Sequence, residues 1–151
     1  GAGETRRIER LLPALKALGL RVGPIKHDAH RFDLDRPGKD SDRHKKAGAV
    51  ATLISSPTAI GMVRDAEHDH PIAALRERYL RDVDLILTEG YAREAWPKVE
   101  VHAARLGGLL SGPDSGLFAV VSEEAVESGV ARFDWSRVAE LARLLAERAG
   151  R

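Results

Sequence analysis

The chain has 151 residues, 43% of them hydrophobic and 31% charged, a composition that excludes a disordered, collagen-like or membrane-spanning class. The 24 Lys and Arg against 23 Asp and Glu give a formal net charge of +1, which gives no support to nucleic-acid binding. Cysteine is absent, so disulfides and thiolate metal sites are excluded, and with no apolar signal core we expect a cytoplasmic protein.

The predicted elements alternate between helices and short apolar strands. Apolar residues recur at helical spacing from Ile8 to Leu18, so we predict a first helix over 3–19 that continues through Pro13. Further helices are predicted at 42–48, at 71–80 and after Asp134, and strands at 20–25, 49–54, 59–63, 83–88, 99–102 and 117–121. The run at 83–88 is typical of a strand buried on both faces. This order indicates one α/β domain over 1–151 with a mostly parallel sheet.

The first five residues, Gly-Ala-Gly-Glu-Thr, open directly into the first helix. A glycine-rich helix N-terminus directs backbone N–H groups at an anion, as in the phosphate loop G-x-x-x-x-G-K-[ST]. Gly3 occupies the position of the last glycine and Thr5 that of the hydroxyl residue, whereas Glu4 occupies the lysine position. Spacing alone favours a flexible N-terminus over a phosphate site, and both interpretations stay open.

Two further segments carry groups that are able to bind a ligand. Lys-His-Asp-Ala-His at 26–30 follows a strand, and His27 with His30 has a spacing that suits a metal, although a solvated polar loop is the favoured interpretation. Glu89 follows the strand at 83–88, where the Walker B acid of a nucleotide-binding protein reaches Mg²⁺. Alone each signal is weak.

Taken in chain order, these segments resemble the MobB family of molybdopterin-guanine dinucleotide biosynthesis adaptor proteins. The matching segments are GETRRIERL at 3–11, IKHDAH at 25–30, DRPGKDS at 35–41, DLILTEGY at 84–91 and PKVEV at 97–101. The resemblance covers about residues 1–102. It implies a three-layer, P-loop NTPase-like α/β fold, a mostly parallel sheet with helices on both faces, whose first strand is missing from this sequence.

The resemblance also implies a function and partners. It implies binding of GTP with Mg²⁺ and an accessory role, with at most weak GTPase activity, beside a MobA-like guanylyltransferase that forms molybdopterin-guanine dinucleotide. Molybdopterin or its guanine dinucleotide and a second copy of the chain are the other expected partners, and neither nucleic acid nor a membrane is expected.

The site residues follow from matching positions. The nucleotide-binding set is Gly1, Ala2, Gly3, Glu4, Thr5, Arg6, Lys26, His27, Glu89 and Gly90. The ligand-lining loop is Asp28, His30, Asp35, Lys39, Asp40 and Ser41. Thr5 and Glu89 are the expected Mg²⁺ residues, and no catalytic residue is identified.

The sequence departs from the family pattern at the phosphate loop. Glu4 replaces the lysine that contacts phosphate, and the preceding strand with half of the loop, roughly ten residues, is expected to be lacking. The alternative function is therefore an interaction module that binds MobA or a molybdopterin precursor without nucleotide.

Overall fold

The computed structural model describes residues 2–28, 32, 34–91, 93–102, 108–112 and 114–150, with the backbone alone for 2–6. Its contacts divide the chain into a first unit, Gly1–His27 with Leu80–Arg151, and a second unit, Asp28–Tyr79. The single domain expected over 1–151 stays a prediction. None of the described helices is both long and apolar enough to cross a membrane.

Helices and strands alternate along the chain. In order they are α1 (Ala2–Ala17), β1 (Val22–Lys26), α2 (Asp40–Lys46), β2 (Ala51–Ser55), β3 (Ile60–Arg64), α3 (Ile72–Tyr79), β4 (Leu85–Glu89), β5 (Lys98–Val101), β6 (Leu117–Val121), β7 (Ala131–Phe133), a 3₁₀ turn (Trp135–Arg137) and α4 (Val138–Arg148). The predicted α/β class is confirmed.

In the part of the first unit that the structure describes, every strand pair is parallel. β1 pairs with β4, and β6 lies between β5 and β7 in a three-stranded sheet. Within the described residues, β4 and β5 each pair with a neighbour on one side only. The prediction that the 83–88 strand is buried on both faces was wrong: Leu85, Ile86 and Leu87 are half-buried and Thr88 is exposed. A strand with one free edge has fewer neighbours to cover its side chains.

A single apolar cluster joins the helices and strands of the first unit. Leu15 of α1, Val121 of β6 and Leu141 of α4 are almost fully buried in it, and Leu87 and Val99 pack against it from β4 and β5. The helical spacing of apolar residues in α1 and α4 places one face of each helix on this cluster. The cluster thereby fixes the strands whose carboxyl ends carry the candidate site.

Helix α1 tolerates an interior proline and ends at a glycine. Pro13 lies on the exposed side of the helix, so its ring does not displace the side chains of the apolar cluster. Gly19 adopts φ +80° and donates its N–H to the Lys16 carbonyl at 2.9 Å, a helix end that favours glycine. Both features agree with the predicted helix over 3–19.

The second unit is built on an antiparallel hairpin of β2 and β3. The Ser56 hydroxyl accepts the Ala59 N–H at 3.0 Å and closes the turn. Lys45 Nζ of α2 lies 2.6 Å from the Ala49 carbonyl and 2.6 Å from Asp65 Oδ1, and so ties α2 to both ends of the hairpin. Because the predicted strands at 49–54 and 59–63 are joined by this turn, the predicted hairpin is confirmed.

Candidate functional site

The carboxyl ends of β1 and β4 bring together four of the predicted nucleotide-binding residues. Lys26 and Glu89 are register partners at the last position of each strand, and the His27 N–H donates to the Glu89 carbonyl at 2.9 Å. Gly90 follows directly and lies against His27. Ligands of open parallel α/β sheets bind at this edge. Four residues from two distant segments of the sequence thus converge there.

Glu89 has a carboxylate oxygen that is free to bind. The side chain is half-buried, and its Oε1 atom is buried without a hydrogen-bond partner. A buried acceptor left unpaired destabilises the fold by about 1–3 kcal/mol. A cation or a hydrogen-bond donor at this oxygen would remove that penalty.

The turn after Glu89 requires glycine at its first position. Gly90 has φ +87°, and a Cβ there would lie 3.0 Å from His27 Cβ and 3.2 Å from the His27 carbonyl oxygen. The next residue, Tyr91, also has a left-handed backbone, with φ 54°, and its ring centroid is 4.7 Å from that of His27. Left-handed non-glycine residues cluster at functional sites.

In the second unit, Asp35 and Ser41 of the predicted ligand loop bind each other. The buried Ser41 hydroxyl donates to Asp35 Oδ1 at 2.7 Å, whereas Asp35 Oδ2 is buried without a partner. The neighbouring Asp42 accepts the Gly38 N–H at 2.7 Å and binds Lys46. The Lys46 hydrogen bond, followed by that from Gly38, lowers the pKa of Asp42. Hydrogen bonds within the loop therefore hold its conformation, and Asp35 Oδ2 is left without a hydrogen-bond partner.

The remaining predicted residues are either exposed or not described. Lys26, Asp28, Lys39 and Asp40 are exposed. Gly1 and His30 lie outside the described residues; Ala2, Gly3, Glu4, Thr5 and Arg6 lie in the first two turns of α1, without described side chains. The joint role of Thr5 and Glu89 stays a prediction. In the part of the chain that the structure describes, no group of three His, Asp or Glu side chains is able to hold a metal ion.

Two polar residues with largely buried side chains, Glu100 on β5 and His102 just after it, were not predicted from the sequence. Glu100 accepts the Leu110 N–H and the Ser111 N–H at 2.8 Å each, and His102 Nδ1 lies 4.0 Å from Glu100 Oε1. The sequence signal for them is the alternation of polar residues with valines in Lys-Val-Glu-Val-His, because this pattern places the polar side chains on one face of a strand.

A strand of a parallel pair that ends in a carboxylate and a glycine turn is typical of α/β proteins that bind a ligand at this edge of the sheet, and the fold is of the P-loop NTPase-like class. The family model described as "Molybdopterin guanine dinucleotide synthesis protein B" (MobB) matches residues 1–123. This chain belongs to the MobB family.

Curated relatives and solved structures agree with this assignment. The "Molybdopterin-guanine dinucleotide biosynthesis adapter protein" of Escherichia coli is 34% identical, over 97% of this chain and 87% of the relative. The protein of the same name from Haemophilus influenzae is 29% identical, over 94% and 80%. A crystal structure of molybdopterin-guanine biosynthesis protein B matches with a TM-score of 0.76 at 25% identity, covering 99% of this chain and 93% of that one. Bacillus subtilis MobB matches in fold, with a TM-score of 0.72 at 23% identity, covering 98% and 91%.

Proposed function

We propose that this chain is a guanine-nucleotide-binding adapter in molybdenum cofactor biosynthesis, which assists the guanylylation of molybdopterin to molybdopterin-guanine dinucleotide. Family membership supports the pathway, because the curated relatives are named as adapters of molybdopterin-guanine dinucleotide biosynthesis. The observation that carries nucleotide binding is the buried, unpartnered Oε1 of Glu89 at the carboxyl end of β4. Its surroundings, His27 and the Gly90 turn, are the residues that the family pattern places at the nucleotide.

The donor chemistry of Glu89 fits a magnesium ion. Mg²⁺ binds carboxylate oxygens, nucleotide phosphates and water, and it keeps several of its waters in proteins. Glu89 would hold a bound GTP·Mg²⁺ directly or through such a water, together with the Thr5 hydroxyl. No side chain is identified as a general base, so we propose that nucleotide binding, with at most slow hydrolysis, serves the adapter role.

Calorimetric titration of GTP into the protein, with Mg²⁺ present, tests nucleotide binding. We expect saturable binding below millimolar GTP. Absence of binding at millimolar GTP would overturn this part of the proposal.

Glu4 favours a second candidate function, an interaction module without nucleotide. A carboxylate in the lysine position of the phosphate loop repels a triphosphate. Replacement Glu4→Lys separates the two functions: a gain in GTP affinity identifies Glu4 as the weakening residue. Binding of a MobA-like guanylyltransferase that requires no GTP, in a protein that binds none, supports the interaction module.

We propose a homodimer that works in the cytoplasm with a MobA-like guanylyltransferase and with molybdopterin or its guanine dinucleotide. Leu53, Ile60 and Met62 share one face of the β2–β3 hairpin, called the hairpin face below, and all three are exposed. Among the described residues each strand of this two-stranded sheet has one unpaired edge, and Arg64 at the end of β3 is the one charged residue in the two strands. The hairpin face is apolar and can pack against the same face of a second copy across a two-fold axis. This supports a homodimer.

A further inference from the structure

Three contacts join His27 to the residues at the carboxyl end of β4. The His27 N–H donates to the Glu89 carbonyl at 2.9 Å, and Gly90 lies so close that a Cβ there would be 3.0 Å from His27 Cβ. The third contact is between rings: the centroids of His27 and Tyr91 are 4.7 Å apart, with the ring planes tilted by 45°. Both side chains are half-buried. Rings at this separation attract each other, so the contact favours one orientation of the imidazole.

Tyr91 makes this ring contact from an unfavourable backbone conformation. Among the described residues other than glycine, Tyr91 is the one with a positive φ, 54°. A Cβ in the left-handed region crowds the neighbouring carbonyl, and glycine or asparagine adopts this region more easily than an aromatic residue does. The backbone conformation therefore does not explain a tyrosine at this position, whereas the contact of its ring with His27 does.

The segment that follows Tyr91 fixes this conformation. The Glu94 N–H donates to the Tyr91 carbonyl at 3.0 Å, and the Trp96 indole N–H donates to the Glu94 carboxylate at 2.8 Å. The Lys98 ammonium donates to the Glu94 carbonyl and, at 2.9 Å, to the Ser115 carbonyl. These bonds tie the turn at 91–94 to the start of β5 and to the segment before β6. A strained residue persists where its surroundings hold it in this way.

We propose that Tyr91 is a positioning residue of the nucleotide site, whose ring holds the His27 imidazole in the orientation that contacts a guanine nucleotide. The inference rests on the proposed function, in which His27 is one of the nucleotide-binding residues. A side chain that is ordered before the ligand arrives loses less conformational entropy on binding. The Tyr91 ring thus strengthens nucleotide binding through His27.

Replacements of Tyr91 separate its ring from its backbone conformation. Tyr91→Asn removes the ring and keeps a residue that tolerates the left-handed region, whereas Tyr91→Phe keeps the ring. Should the asparagine variant not fold, Tyr91→Gly takes its place, because glycine adopts φ 54° without strain. Tyr79→Asn is the matched control, since Tyr79 is the other tyrosine of the chain and is 46% exposed in the second unit.

GTP is titrated calorimetrically, with Mg²⁺ present, into the wild type and each variant. We expect Tyr91→Asn to weaken binding about three- to tenfold, the effect of one lost ring pair. Tyr91→Phe and the control should stay within about twofold of the wild type. Unchanged affinity in Tyr91→Asn, or an equal loss in Tyr91→Phe or in Tyr79→Asn, would overturn the inference while the proposed function stands.

A double-mutant cycle tests whether Tyr91 acts through His27. If it does, His27→Ala weakens GTP binding, and adding Tyr91→Asn to it causes no further loss. A residue that supports the fold in general would give losses that add. Additive losses, or wild-type affinity in His27→Ala, would overturn the inference. A wild type that binds no GTP would overturn the proposed function, and the inference with it.

The ring contact also provides a readout that needs no nucleotide. Proton NMR of the free protein at one fixed pH is expected to show the His27 ring resonances shifted in Tyr91→Asn and retained in Tyr91→Phe and Tyr79→Asn. His27 ring resonances that are the same in Tyr91→Asn as in the wild type would overturn the inference, whatever the titrations show.

Discussion

At the scale of single residues, some of the unpaired buried polar atoms belong to residues that we propose bind a ligand. Asp35 Oδ2, Glu89 Oε1 and His102 Nδ1 are buried without partners, as is Thr52 Oγ1 in β2. Each such atom destabilises the fold by about 1–3 kcal/mol while it is unpaired, and Asp35 and Glu89 lie in segments predicted to bind a ligand. Asp35 and Glu89 were predicted from sequence because each lies within a recognisable motif. His102 was missed because the alternation of polar residues with valines at 98–102 predicts a polar face but not its burial.

Glu100→Gln should destabilise the first unit by about 1–3 kcal/mol at pH 7, because an amide leaves one of the two backbone N–H groups without an acceptor. The native pKa of Glu100 is lowered from its ordinary 4.5, so its contribution is present above about pH 4.5 and is lost as the pH falls through the native pKa. Urea unfolding of wild type and variant should therefore differ most near neutral pH and converge in acid. A difference that stays constant down to pH 3 would contradict this role.

At the scale of elements, sequence patterns predicted all helices and six of the seven strands of the described residues, although α2 (Asp40–Lys46) contains no apolar residue and so has no hydrophobic periodicity. β7 (Ala131–Phe133) was missed because a three-residue strand with a central arginine, Ala-Arg-Phe, has no apolar run. The burial of β4 was overestimated, since sequence reveals the apolar content of a strand but not whether both edges have neighbours. Asp134 was predicted to cap the last helix, and its side chain accepts the Ser136 N–H of the 3₁₀ turn that leads into α4.

Pro13→Ala should stabilise the protein by about 1–3 kcal/mol, because it restores a helical N–H and removes a ring that crowds the preceding turn of α1. The exposed side chain makes the replacement safe for the apolar cluster. The midpoint of urea unfolding should rise with an unchanged slope. A lowered midpoint would show that the proline sets a helix shape that the packing of Leu15 needs.

At the scale of the whole molecule, the two units differ in the exposure of their apolar side chains. The first unit buries an apolar cluster between α1, α4 and the strands, whereas the second exposes Leu53, Ile60 and Met62 together on the hairpin face. The sequence predicted the hairpin from its turn but not the exposure of its apolar side chains. An apolar strand has the same sequence pattern whether its own chain or a partner covers it. The proposed joint role of Thr5 and Glu89 at Mg²⁺ likewise involves the Thr5 side chain, which lies outside the described residues.

Leu53→Lys should weaken the proposed homodimer at least about tenfold, because it places a charge in the middle of the hairpin face. Leu110→Lys is the matched control: Leu110 is 78% exposed in the first unit, against 61% for Leu53, and lies outside the hairpin. Sedimentation equilibrium across a range of concentrations provides the dissociation constants. Equal effects of the two replacements would show that the hairpin face is not the interface.

The magnesium dependence of GTP binding tests most directly whether Glu89 is the centre of a nucleotide site. Affinities are compared with Mg²⁺ and with EDTA for wild type, Glu89→Gln and the exposed control Glu123→Gln. Because Glu89 Oε1 makes no hydrogen bond, Glu89→Gln should fold like the wild type. We predict that Mg²⁺ strengthens GTP binding in the wild type and the control, and that Glu89→Gln reduces this gain about tenfold or more. The same magnesium gain in all three proteins would contradict the account.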